Sequence, residues 1–141
     1  MLSQINLYLQ RQSKNVFFYI LEQTLLFLFG WVPTILGVGL RGIVYRLILR
    51  IKGWAAIEKN VRLRRPDKIT LHHGVYLDEN VYLHAGQPNG IEIGERTIVM
   101  HGAILHVYNF RNLPNSGIKI GQDSLIGEYT VIRGQGGVVI G

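Results

Sequence analysis

The sequence predicts a mainly β chain: a parallel β-solenoid of about four coils, preceded by apolar and amphipathic helices. Three observations predict it. An aliphatic residue recurs every six positions from Ile57 to the end of the chain. Glycine is abundant, at 17 of 141 residues, as a chain with many tight corners requires. Ahead of the repeat, long apolar runs are split by Gly30-Trp31-Val32-Pro33, a breaker of helices. These observations divide the chain into a helical region, residues 1–54, expected to be membrane-associated, and a repeat region, residues 55–141.

In the first region Val16–Phe29 is almost wholly apolar, interrupted by Glu22, Gln23 and Thr24. After the break, Thr34–Leu40 runs into a stretch where Arg41, Arg46 and Arg50 stand among aliphatics, which reads as a helix with one basic stripe. Val16–Phe29 as a helix rises roughly 21 Å, against a hydrocarbon core of about 30 Å. One arm is therefore too short to span. Basic residues flank both arms, Arg11 and Lys14 before and Arg41, Arg46, Arg50 and Lys52 after. Since Lys and Arg favour the cytoplasmic side, the pattern predicts a hairpin or in-plane helix on the cytoplasmic face of the inner membrane, with soluble helices in the cytoplasm as the alternative. No signal-peptide cleavage site is evident. Directly after the helices come Arg62, Arg64, Arg65 and Lys68, a polybasic junction suited to anionic head groups at ~1 kcal/mol per charge.

The repeat has neither the helical period nor plain alternation. Six residues make one short strand and one corner, and three such units close a triangular coil with the block-opening aliphatics stacked inside. Fifth positions such as Val61, Val75, Val81, Thr97, Ala103, Ser124 and Thr130 are small or slim, as inward residues near a corner must be. Gly74, Asn80, Gly102 and Gly137 fall where left-handed backbone is least costly for Gly or Asn. Three slips in the beat mark insertions at Arg64–Thr70, Gly86–Gly90 and Tyr108–Lys119. The longest is expected to leave the coil and reach a ligand or a neighbouring subunit, because solenoid insertions collect on functional faces.

Composition narrows the function. The chain has no cysteine, which excludes disulfides, thiolate catalysis and Cys-based metal sites. Residues 1–68 carry 11 bases and 3 acids, a net +8, whereas residues 69–141 carry 4 bases and 6 acids, a net −2. The repeat therefore lacks the clustered cations of a nucleic-acid interface, and no nucleic-acid partner is expected. No nucleophile constellation and no phosphate-cradling Gly-Lys-Ser/Thr loop is present.

The blocks Ile93-Gly94-Glu95-Arg96-Thr97, Ile120-Gly121-Gln122-Asp123-Ser124 and Ile126-Gly127-Glu128-Tyr129-Thr130 resemble those of the hexapeptide-repeat acyltransferases, which form left-handed parallel β-helices. The likeness covers about Ile57–Gly141. The pattern Pro33…Leu36-Gly37…Leu40-Arg41…Tyr45-Arg46 resembles that of bacterial sugar O-acetyltransferases with N-terminal helices. The resemblance implies transfer of an acetyl group from acetyl-CoA to a saccharide hydroxyl, a homotrimer with sites between subunits, and a His general base. Backbone N–H groups then stabilise the oxyanion. In that subgroup the base lies in an Asn-His segment after the coil that Ile132–Val138 resembles. The sequence reaches Gly141 in mid-block, so a truncated chain, with its catalytic His beyond Gly141, is an expectation.

Among the five histidines, His101 and His106 bracket the block before the long insertion and are the candidates for a base. Tyr108, Asn109 and Arg111 in the insertion are candidates for a sugar hydroxyl or a CoA phosphate. His72 and His73 read as solvent-facing corner residues, and His84 carries little functional weight. A β-helical carbonic anhydrase needs three inter-subunit His ligands to zinc; the His pairs lack that arrangement, and no metal is expected. The alternative to an enzyme is a non-catalytic, membrane-associated trimeric scaffold or an inactive truncated remnant.

Overall fold

The computed structural model describes residues 2–109 and 111–141; the side chains of Gln10 and Arg11 are outside the description. Phe110 of the long insertion and the Arg11 side chain, read above as part of a basic flank, therefore lie outside the described residues.

Three helices open the chain: α1 (Leu2–Gln12), α2 (Val16–Phe29) and α3 (Thr34–Val44). Asn15 caps α2, its side chain accepting from the Phe18 amide at 2.8 Å, which satisfies one of the free N-terminal donors. The predicted break separates α2 from α3. The predicted basic stripe does not form. After Val44 the chain passes into a single 3-10 turn, Tyr45–Leu47, and Arg50 opens the first strand.

Arg41 points inward and is 1% exposed. Its Nε donates to the Ile57 carbonyl at 2.7 Å, and Nη1 donates to the carbonyls of Phe29 at 3.0 Å and Val32 at 2.7 Å. The guanidinium fork thus joins the end of α2, the break and the first coil, supplying donors to carbonyls that a helix end leaves free. Gly37 makes room for it. A Cβ there would lie 2.0 Å from the Val32 oxygen and 2.9 Å from Arg41 Nη1.

Short strands then wind into coils. The first coil is β1 (Arg50–Ile51), β2 (Ala55–Ile57) and β3 (Arg62–Arg64). The second is β4 (Ile69–Leu71), β5 (Val75–Leu77) and β6 (Tyr82–His84). The third is β7 (Ile91–Ile93), β8 (Ile98–Val99) and β9 (Ile104–His106). The fourth is β10 (Ile118–Ile120), β11 (Leu125–Ile126) and β12 (Val131–Arg133), and β13 (Val138–Ile140) follows. All pairings are parallel and build three sheets, β1-β4-β7-β10-β13, β2-β5-β8-β11 and β3-β6-β9-β12. This is the expected mainly β solenoid of about four coils, with the three-sided form of a left-handed parallel β-helix. The first coil starts at Arg50, ahead of the six-residue beat: Arg50 and Ile51 pair with Thr70 and Leu71, although Arg50-Ile51-Lys52-Gly53 offers only one aliphatic to the pattern.

Register stacks like on like: Leu71 lies opposite Ile93, Ile93 opposite Ile120, and Ile120 opposite Ile140. Block-opening residues from Ile57 to Ile120 are almost fully buried. Leu25, Tyr45, Ile48 and Leu49 from the helical region join the same cluster, so the helices close the first coil as a terminal cap. α3 packs on β2, which buries even the outward residue Ala56. In later coils the same column, Tyr76, Ile98 and Leu125, is half-buried and then exposed.

The predicted corner residues Gly74, Asn80, Gly102 and Gly137 all have positive φ. So do Asn60, Arg96, Asp123 and Tyr129, where side chains occupy a backbone region that favours Gly. The insertions gather on one edge of the prism, the corner leading from the third sheet to the first. A 3-10 turn (Pro66–Lys68) lies there in the first coil, residues 85–90 in the second and 107–117 in the third.

Candidate active site

The third sheet turns one residue per strand outward at the edge where the insertions emerge. Cross-strand pairing aligns Arg64 with His84, His84 with His106, and His106 with Arg133. Residues far apart in the sequence thus form one column, with two imidazoles between two guanidinium-bearing residues. The ring centroids of His84 and His106 are 4.7 Å apart. Tyr108 stacks on His106 at 5.9 Å, and Tyr82 meets both imidazoles edge-on at 6.1 and 6.3 Å. The Tyr82 hydroxyl and His84 Nδ1 are 3.3 Å apart, a hydrogen bond whose direction follows the tautomer.

His84 is buried and His106 half-buried. Burial pushes His106 below the ordinary imidazole value, and the charge of Arg133 adds to this. A desolvated imidazole beside a cation is held neutral at pH 7. It keeps a lone pair for proton abstraction, which is what a general base needs.

Beside the column lies a cleft of about 750 Å³. Its lining comes mainly from the two longer insertions, Pro88 and Pro114 among them, with Lys14 and Arg65. Of the column and its aromatic neighbours His84 and Tyr108 line it, whereas His106 lies next to them outside the lining. Gly86 allows the two loops to stack, since a Cβ there would lie 2.5 Å from the Val107 carbonyl oxygen. Polar side chains, among them Lys14, His84, Gln87 and Asn112, are as frequent in the lining as apolar ones, and the cleft is of a size that takes a small-molecule substrate.

The candidate residues have separate fates. His106 and Tyr108 meet at the column. His101 sits at another corner, between the second and third sheets, edge-on to Tyr129 at 5.4 Å, so the two candidate bases are not brought together. Asn109 braces the insertions. Its Nδ2 donates to the carbonyls of Gln87 and Leu113, both at 2.9 Å, and its Oδ1 accepts from the Leu113 amide. Arg111 is exposed and is not among the cleft-lining residues.

The polybasic junction is not one surface. Arg62 and Arg64 lie on the outer face of the third sheet, Lys68 is half-buried, and Arg65 is buried with an ion pair to Asp67 at 3.1 Å. His73 is exposed, with Nδ1 accepting from the Trp54 amide, and His72 Nε2 lies 3.3 Å from Glu92 Oε1. Among the described residues no group of three or more His, Asp or Glu side chains is placed to hold a metal ion. The residue underweighted in the sequence is His84. Its signal was its place directly after the block-opening Leu83, the position His106 occupies after Leu105 in the next coil.

No protein-family model matches the chain, and neither does any curated protein or solved structure. The geometry of the column and cleft therefore carries the functional argument, beside the resemblance in the repeat.

Proposed function

We propose that the chain is an acyltransferase that moves an acetyl group from acetyl-CoA to a saccharide hydroxyl. The observation that carries this reading is the His84–His106 pair beside a cleft formed by two solenoid insertions. In the proposed reaction the acceptor oxygen attacks the thioester carbonyl while His106 takes its proton. The carbon–sulfur bond then breaks, and the proton passes to the departing CoA thiolate, leaving an acetyl ester and free CoA. His84 holds the acceptor hydroxyl from the cleft wall, and Tyr108 gives the sugar a flat surface.

The acyltransferase reading carries a homotrimer. Its support is an apolar strip on the outer faces of the last two full coils, where Ile98 pairs with Leu125 and Ile104 with Val131. All four are exposed, at 39, 66, 37 and 56%, and an exposed apolar patch of this kind marks an association surface. His101 and Tyr129 stand at the corner between these columns.

The test is release of the CoA thiol with a panel of saccharide acceptors, measured for the natural chain and for His106→Ala and His84→Ala. Acceptor-dependent release that falls about 100-fold or more in His106→Ala supports the assignment, in keeping with the size of general-base effects. His84→Ala is expected to raise KM more than it lowers kcat. Release that persists unchanged in both variants removes the column from the chemistry.

A further inference from the structure

The helical region shows an apolar surface that the coils do not cover. On α2, Phe17, Ile20, Phe27 and Leu28 are 72, 59, 79 and 50% exposed. Their spacing places them on one face, opposite the buried Glu22 and Leu25. On α3, Ile35, Leu36 and Ile43 are 87, 64 and 70% exposed. Trp31, at the turn between the helices, is 64% exposed. Among the described residues no helix is long and apolar enough to cross a membrane, and such a surface on short helices suits a position in the interfacial plane.

Beside this surface is a cleft of about 700 Å³ between α2 and the first two coils. Phe27 and Trp31 line it, and so do Arg62 and Arg64. Among the described residues neither arginine forms an ion pair with a carboxylate. Two guanidinium groups two residues apart on one strand point to the same outer face, next to exposed aromatics. That is the chemistry of a phosphate with acyl chains attached: fork-shaped donors for the anion and an apolar bed for the tails.

We propose that this surface docks on an anionic phospholipid bilayer, with Arg62 and Arg64 seating a lipid phosphate in the cleft beneath Phe27 and Trp31. Charge complementarity selects a lipid occupant over a second copy of the chain. A symmetric pairing through this face would bring two cationic clefts together, each within a segment of net charge +8 over residues 1–68. The proposal needs neither imidazole: Arg64 ends the column beside His84, but the other residues of the lipid site lie outside it, so vesicle binding and CoA release are separate readouts.

The experiment is vesicle co-sedimentation of the full chain, with phosphatidylglycerol–phosphatidylcholine vesicles against pure phosphatidylcholine. Arg62→Ala/Arg64→Ala is expected to bind the anionic vesicles about thirtyfold more weakly, from the loss of two interfacial charges. Phe27→Ser/Trp31→Ser is expected to lose binding even at low salt. Circular dichroism checks that each variant is folded. In a Trp54→Phe background, which leaves Trp31 as the single indole, fluorescence shifts to the blue on anionic vesicles. Inorganic phosphate alone causes no such shift. Equal binding to neutral and anionic vesicles overturns the proposal, and so does undiminished binding by the arginine variant. Self-association through this face without vesicle binding, or a response to free phosphate alone, overturns it as well.

Discussion

The helical region and the coils solve burial in opposite ways. In the coils the aliphatics turn inward and the charges outward: Leu71, Leu77, Leu83 and Leu105 are fully buried, while Glu95 and Arg96 are exposed. In the helical region Glu22 and Arg41 are buried at 2 and 1% exposure, while Phe27 and Ile35 are 79 and 87% exposed. The coils are held by a hydrophobic effect that the six-residue period aims at the axis. The helical region adds buried polar connections to the apolar contacts it shares with the coils: Ser13 donates to Glu22 at 3.0 Å within it, and Arg41 ties Phe29 and Val32 to the coil carbonyl of Ile57. A region that hides charge and shows aromatics is suited to a partner, and the two regions should fail for different reasons.

The largest expected effect is in the coils. Leu83→Ala removes a fully buried side chain from the stack of Leu63, Leu83 and Leu105 and is expected to cost about 4 kcal/mol in thermal or denaturant unfolding. Because helix residues Leu25 and Tyr45 share its cluster, helical and β signals should melt together; separate transitions would break the view of the helices as a cap. Arg41→Met comes next. It leaves three carbonyls without their donor and is expected to cost about 3 kcal/mol, near 1 kcal/mol per lost bond. Arg41→Lys should recover only part of this, since an ammonium lacks the planar fork.

Glu22 gives the smallest effect and the sharpest signature. Burial is the main cause that raises its pKa to about 7 from an ordinary 4.5, with repulsion from Asp67 adding to the rise; the Ser13 hydrogen bond, Arg65 and Lys14 act against it. The folded state therefore favours the neutral acid. The stability this gives is full below about pH 4.5 and is lost as pH rises to about 7. Denaturant melts across this window should lose on the order of 2 kcal/mol, and Glu22→Gln should remove that slope. A slope of the opposite sign would show that the site holds an ionised carboxylate.

Much of this was legible in the sequence. The beat from Ile57 onward identifies inward residues because a triangular coil repeats the same burial every six positions. The break at Gly30–Pro33 was legible because Pro cannot continue a helix. Arg41 was not: a cation among aliphatics reads as surface, and only the fold reveals the carbonyls that Phe29, Val32 and Ile57 leave for it. The site was legible in part. The slips marked the insertions, but their common edge depends on coil register. The meeting of His84 with His106 comes from the pairing of β6 with β9 across the 85–90 insertion, which breaks the six-residue spacing and hides the alignment from a search for spaced motifs. Asn109 looked like a ligand-binding amide because sequence does not show that its own loop uses both ends of the side chain.

The central claim is that His106 is the base of an acyl transfer, and the pH dependence of kcat/KM for acceptor-dependent CoA release tests it most directly. A base held neutral by burial and by Arg133 works once deprotonated. The rate should therefore rise to its plateau with a midpoint below the ordinary imidazole value of 6.5, and His106→Gln should abolish that limb along with most of the activity. A limb unchanged by the substitution, or the absence of acceptor-dependent CoA release at any pH, would contradict the account.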